Sequence, residues 1–305
     1  MAKPLPQHAR AVVVGGGIVG CSIAYHLAKL GWSDTVLLEQ GQISCGTTWH
    51  AAGLVGQLRA THNMTRLASY GAELYEQLEA DGYPTGFRRT GSIAVAADHE
   101  RLEELHRGAE MASCFGVDVQ PVDVETLAAH WPLMRADDLV GGVWVPRDGQ
   151  TSPVDTTIAM ANAARASGAR VIENCRVDRI LTDQGRAVGV RMPDGHEIHS
   201  EFVVTCAGLW SRHLAAEAGV SLPLHGCEHF YLVTEPIDGL GQGLPTLRDP
   251  GSNTYIKEET GRLLVGFFEP VAKPIDADEL PDEGFLHLDE DWDHLAPVKI
   301  GRAHV

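Results

Sequence analysis

Three glycines at GxGxxG spacing, Gly15, Gly17 and Gly20, are the first residues of this chain whose arrangement can do chemistry. They follow the apolar β-branched run Val12, Val13 and Val14, a strand buried on both faces. They precede a segment with Ile23, Leu27 and Leu30 on one helical face, ended by Gly31. A second strand spans residues 35–38 and closes on Glu39, 19 residues after Gly20. Such a βαβ unit binds a dinucleotide. Gly15 permits the tight turn, Gly17 lets a pyrophosphate approach the backbone, and Gly20 lets helix and strand pack closely. Free N–H groups at the helix start face the phosphates. The Glu39 carboxylate accepts from ribose hydroxyls and repels a 2′-phosphate, which disfavours NADP; Gln40 beside it is counted as a further contact. Glycines alone also mark ordinary turns; strand, glycines, helix, second strand and terminal acid together argue against that.

Other reactive side chains are more scattered. Cys21, Cys45, Cys114, Cys175, Cys206 and Cys227 never come closer in sequence than 21 residues, so no CxxC and no zinc or iron–sulfur spacing exists. They read as buried free thiols in a reducing cytosol. His225 and His229 lie four apart in a predicted strand and would share a face. A metal pair is conceivable there, but no acidic or thiol third ligand is evident, and no metal is expected. His196 and His199, three apart, point to opposite faces and read as surface residues.

The elements that must position these groups are legible in outline. The glycine-rich stretch after Glu39 reads as a loop against the ligand, and helical spacing runs over 64–80. Further predicted elements are a strand at 92–97, a helix capped by Asp98 to about Phe115, a strand at 118–122 and a helix at 124–130. A strand at 143–145 follows, then a helix from Pro153 to Ser167. Strands are predicted at 170–173, 177–181, 187–191, 196–199 and 202–205, with a helix from Trp210, and again at 224–235, 254–258 and 263–268. The fold class is α/β, with strand-rich pieces at about 87–140 and 224–298 inserted as a second domain. No internal repeat is found.

At 305 residues, 44% apolar and 21% charged, the sequence is that of a globular protein. A net charge of −17 without a Lys/Arg block argues against nucleic-acid and anionic-membrane partners. No signal peptide or membrane span is read, and the expected location is cytoplasmic.

Several stretches in order carry a family resemblance. Besides residues 15–39 these are Gly46-Thr47-Thr48-Trp49-His50-Ala51-Ala52-Gly53-Leu54, Pro132-Leu133-Met134, Val145-Pro146-Arg147-Asp148-Gly149, Val171-Ile172-Glu173-Asn174-Cys175 and Cys206-Ala207-Gly208-Leu209-Trp210. Over about residues 10–298 the chain resembles the sarcosine and dimethylglycine dehydrogenases, within the D-amino-acid-oxidase-like flavoproteins. The resemblance implies a Rossmann-type FAD-binding domain (10–86 and 141–223) interleaved with an antiparallel-sheet substrate domain (87–140 and 224–298). It implies a covalent bond from the His50 ring to the flavin, for which a neutral imidazole is the suitable nucleophile; the plain alternative is an idle loop histidine. Thr47, Thr48, Trp49, Ala51, Gly53 and Leu54 are carried over as cofactor contacts from the same motif. Ala207, Gly208 and Trp210 follow from the later turn and Val177 from the adenine side, although Trp210 would serve as well in a core. His229 and Tyr255 match active-site groups, the histidine keeping the amine unprotonated and the phenol orienting a carboxylate. Tyr255 could equally be a sheet aromatic.

The activity so implied is FAD-dependent oxidative N-demethylation of sarcosine or dimethylglycine. The electron acceptor would be oxygen or an electron-transfer flavoprotein, and folate would be a partner only through a further C-terminal domain. Alternatives are another D-amino-acid-oxidase-like oxidoreductase, which would not need Thr48-Trp49-His50, and a non-catalytic FAD-binding module of a larger complex. The closing segment of the FAD domain is expected to be missing. Residues 299–305 read as a non-native tail, because their sequence is what a common sequencing adapter encodes.

Overall fold

The computed structural model describes residues 5–276, 278, 280–281 and 284–293; the proposed tail at 299–305 lies outside the described residues. The helices are α1 (Ile18–Lys29), α2 (His62–Ala80), α3 (His99–Cys114), α4 (Val124–His130), α5 (Pro153–Ala166) and α6 (Ser211–Glu217). The strands are β1 (His8–Val14), β2 (Thr35–Leu38), β3 (Leu54–Val55), β4 (Ser92–Ala96), β5 (Gln120–Val122), β6 (Gly141–Val145), β7 (Gly149–Gln150), β8 (Arg170–Ile172), β9 (Arg179–Asp183), β10 (Arg186–Arg191), β11 (Glu197–Thr205), β12 (Tyr231–Val233), β13 (Thr246–Asp249), β14 (Thr254–Glu259) and β15 (Arg262–Phe267).

Two large sheets organise them. The first runs β8-β2-β1-β11-β10-β9, parallel from β8 to β11 and antiparallel beyond. Val12 and Val13 at its centre are fully buried, as the β-branched run requires. Val13 packs with Cys21, Ala24, Leu37, Met160 and Ala164, where α1 and α5 cover one face. The second sheet runs β12-β15-β14-β13-β4-β6-β5 and is antiparallel except where β13 meets β4. The architecture is therefore α/β, a Rossmann-type unit joined to a largely antiparallel sheet.

Several expected elements differ. The strands expected at 196–199 and 202–205 are one strand, β11, which begins at Glu197; its first half pairs with β10 and its second half with β1, and the polar residues between them do not break it. The strand expected over 224–235 shrinks to Tyr231–Val233. Upstream, the backbone bonds elsewhere: Glu228 N donates to Lys273 O at 2.8 Å and Ile275 N to Gly226 O at 2.9 Å. His225 and His229 therefore do not share a strand face, and no metal-binding cluster exists among the described residues. β13 was not expected, because TLRD has no strand periodicity; its neighbours β4 and β14 hold it. β6 belongs to the second sheet, which corrects the division placing residues from 141 onward with the first.

Candidate functional site

The carboxyl ends of β1 and β2 and the start of α1 open on a cleft of about 540 Å³. Gly15, Gly17, Glu39, Gln40, Thr47, Thr48, Ala51, Val177, Ala207, Gly208 and Trp210 line it, together with residues the sequence reading did not single out, such as Arg176, Asp178 and His213. The glycines divide their work as the motif demands. Gly15 has φ +109°, and a side chain there would strike Cys206 O at 2.3 Å. A Cβ on Gly20 would sit 1.9 Å from Gly15 O, so Gly20 is the helix–strand contact and does not line the cleft. A Cβ on Gly17 would meet only Thr48 Oγ1, at 3.1 Å, and the backbone there is open to a ligand.

Glu39 is buried, and its carboxylate already has protein partners. Oε2 accepts from Gly16 N at 2.5 Å and Oε1 from Gly41 N at 2.8 Å. An ionised carboxylate has about four acceptor positions, so capacity remains for ribose hydroxyls. The residue latches the glycine turn to the end of β2, a second duty that sequence spacing does not reveal. Thr48 acts similarly: its hydroxyl accepts from Ile18 N at 3.0 Å, capping α1 from the neighbouring loop.

Not all of the expected contacts reach the cleft. Gly53 has φ +78° and its Cβ position lies 2.2 Å from Thr151 O, so its glycine serves backbone packing. Leu54 pairs with Gln150 in the β3–β7 ladder. Trp49 and His50 lie beside Phe285, with ring centroids 5.5 and 5.1 Å away. His50 Nε2 is buried with no hydrogen-bond partner among the described residues. Burial, with His287 second, pushes its pKa down and so favours the uncharged ring. From the other wall Trp210 Nε1 donates to Pro281 O at 2.9 Å.

The second sheet turns one face to this loop. Tyr231, Gly266, Tyr255 and Arg248 are successive cross-strand partners over β12, β15, β14 and β13, so they form one row on one face. Lys257, two residues along β14 from Tyr255, shares that face and donates to Ala52 O at 3.0 Å. Arg248 lies within 4.0 Å of the Cβ position of Gly56. The row therefore confronts the loop that carries His50. Gly266 is required there, because a Cβ would sit 2.1 Å from Tyr255 Cζ. His229 Nε2 lies 3.0 Å from the Tyr255 hydroxyl, and Nδ1 lies 3.2 Å from Glu269 Oε2. Burial pushes the Tyr255 pKa up to about 12. The structure thus brings together the two residues nominated from sequence, His229 and Tyr255. Arg248, Lys257, Gly266 and Glu269 went unnoticed; strand register reveals the first three, and the contact with His229 reveals Glu269.

Comparison with known proteins points the same way. The family described as DAO, FAD dependent oxidoreductase, matches residues 10–302. The chain is 41% identical over 297 residues to 4-methylaminobutanoate oxidase (formaldehyde-forming) of Paenarthrobacter nicotinovorans, covering 97% of this chain and 36% of that protein. It is 40% identical over 303 residues to human mitochondrial sarcosine dehydrogenase, covering 96% and 32%. It is 39% identical over 298 residues to the mouse mitochondrial pyruvate dehydrogenase phosphatase regulatory subunit, covering 96% and 34%. The chain spans about a third of the length of these curated relatives. Among solved structures, an L-proline dehydrogenase from P. horikoshii superposes with a TM-score of 0.86 at 25% identity, over 97% of this chain and 76% of that one.

Proposed function

We propose, for a chain that belongs to the family of FAD-dependent oxidoreductases, that it binds FAD along the cleft and serves oxidation of an N-methylated amino acid. The sequence resemblance favours sarcosine or dimethylglycine, and the oxidase relative adds 4-methylaminobutanoate to the set to be tried. All three candidates carry a carboxylate and an N-methyl amine. The observation that carries the reading is the Tyr231–Gly266–Tyr255–Arg248 row, joined by His229, facing the loop at 46–56.

The residues present fit FAD. Gly15 and Gly17 at the start of α1 would hold the pyrophosphate, Glu39 and Gln40 the ribose, and Val177 the adenine side; Ala207, Gly208 and Trp210 would line the opposite wall. When bound, FAD supplies the two-electron acceptor for the N-methyl C–H bond. The protein's own part is positioning and proton control. Arg248 supplies the cation for a substrate carboxylate. His229 and Tyr255 take the proton from the ammonium form, because only a neutral nitrogen can donate its lone pair as the C–H bond breaks. We assign His50 as the point of covalent attachment, supported by its buried Nε2, which has no hydrogen-bond partner among the described residues, and by the burial that lowers its pKa and favours the uncharged ring. The free thiols among the described residues support a reducing compartment, and the cytoplasm remains our assignment. No described helix is long and apolar enough to cross a membrane.

The regulatory-subunit relative favours a second reading, an FAD-binding module without turnover. Anaerobic mixing of the FAD-loaded protein with each N-methyl amino acid separates the two. Loss of oxidised-flavin absorbance supports oxidation. Bound flavin that stays oxidised with every candidate supports the module.

A further inference from the structure

We propose that Glu269 is the positioning residue of the His229–Tyr255 pair: it holds His229 as the Nδ1–H tautomer and so presents Nε2 as the acceptor for the Tyr255 hydroxyl proton. This rests on the reading of His229 and Tyr255 as substrate-side groups. The two ring nitrogens face different partners, Glu269 Oε2 at 3.2 Å from Nδ1 and Tyr255 Oη at 3.0 Å from Nε2. The Glu269 side chain is only 7% exposed, so it is not a freely solvated surface charge. It leaves the end of β15 directly after Phe268, whose ring stacks on His229 at 5.4 Å between centroids and fixes the imidazole plane.

The tautomer follows from donor and acceptor inventory. An ionised carboxylate only accepts, so Nδ1 must carry the proton of the neutral ring. Nε2 is then a bare lone pair, and Tyr255 must be the donor in their bond. The Tyr255 oxygen keeps its own lone pairs for a substrate N–H. A proton arriving from a substrate ammonium goes to the Tyr255 oxygen as the tyrosine proton passes to His229 Nε2. One proton enters and one is stored, no electrons move, and the charge rests on an imidazolium beside Glu269. The logic is that of a carboxylate orienting a histidine base. Other charged or titratable groups acting on Tyr255 are Tyr231 on β12 and Arg248 on β13; among the described residues the two ring nitrogens of His229 face Glu269 and Tyr255.

The test uses FAD-loaded protein labelled with ¹⁵N-histidine, with the His229 resonances assigned by their loss in His229→Gln. Long-range ¹H–¹⁵N spectra should show a pyrrole-type Nδ1 and a pyridine-type Nε2. Glu269→Leu removes the acceptor and should move the ring toward the Nε2–H form. Glu269→Gln keeps an acceptor but drops the charge, and should keep the Nδ1–H form. Flavin reduction by an N-methyl amino acid should slow by about 10²-fold in Glu269→Leu and about tenfold in Glu269→Gln. A wild-type Nε2–H ring, or an unchanged Nδ1–H ring in Glu269→Leu, overturns the proposal. If Glu269→Leu fails to fold, the wild-type spectrum and Glu269→Gln decide it. Flavin reduction equally fast in all three proteins overturns the positioning role and leaves the function standing. The predicted tautomers without any flavin reduction leave Glu269 as the residue that sets the tautomer and overturn the function.

Discussion

Replacing Glu39 tests whether the dinucleotide motif is held together by its own acid. The carboxylate accepts two backbone N–H bonds, from Gly16 at 2.5 Å and Gly41 at 2.8 Å, and is buried. Hydrogen bonds to a charged group contribute about 1.5–3 kcal/mol each. Glu39→Ala leaves both donors behind, a loss of about 3–6 kcal/mol from a total stability of about 5–15 kcal/mol. With an unfolding entropy of about 2.1 cal/mol/K per residue, the cofactor-free protein should melt roughly 5–10 °C lower. Glu39→Gln keeps one acceptor but turns an amide donor toward Gly16 or Gly41, so it should fall between the two. Urea unfolding of cofactor-free protein measures the latch, and titration calorimetry with FAD measures the ribose contribution separately. A cofactor-free stability within about 0.5 kcal/mol of the parent, the range of an ordinary surface change, would show that the short Glu39–Gly16 bond carries no weight. Weaker FAD binding alone would then leave Glu39 as a ribose ligand only.

Other outcomes follow from the same geometry. Acid-precipitated, FAD-loaded protein should keep its flavin colour on the polypeptide. His50→Ala should release the flavin on acidification yet still bind it beforehand, and colour in the wild-type supernatant would end the covalent assignment. Gly266→Ala forces a Cβ to 2.1 Å from Tyr255 Cζ, so it should cost about 1–3 kcal/mol of stability and slow flavin reduction with FAD still bound. Unchanged reduction would move the substrate site off this row. Burial pushes Cys21 and Tyr255 up to about 12 and Cys206 up to about 11, from ordinary values of 9.0, 10.0 and 9.0. Raised values in the folded state favour it fully at low pH and lose that contribution as the unfolded chain ionises first. The urea midpoint should therefore fall as pH rises from about 8 to about 11; a midpoint that holds or rises contradicts the burial of these groups.

Most of the nucleotide half is legible in the sequence because its constraints are local. Gly15, Gly17 and Gly20 announce themselves by spacing within one strand–helix turn, although only Gly20 answers to a local atom, Gly15 O, while Gly15 faces Cys206 and Gly17 faces Thr48; Val12–Val14 answer to burial on both faces. Asp98 and Asp123 cap α3 and α4 with their own side chains, and such caps are read directly from residue type. The substrate half depends on distant pairing. Gly266 carries no signal until register sets it between Tyr231 and Tyr255, and Arg248 sits in a strand that exists only because β4 and β14 flank it. The resemblance pairs His229 with Tyr255, which lies 3.0 Å from it, while the strand argument for His229 and His225 fails. The backbone at 226–228 bonds to 273–275, a partnership 45 to 49 residues away that no window of sequence displays.

The central claim is that an N-methyl C–H bond breaks at the face formed by Tyr255 and His229. It is tested most directly by the rate at which bound flavin is reduced, without oxygen, by sarcosine carrying either N–CH₃ or N–CD₃. A several-fold slower reduction with N–CD₃, and none from deuterium at the α-carbon, is the predicted result. An isotope effect confined to the α-carbon, or flavin that neither N-methyl isotopologue reduces, would contradict it.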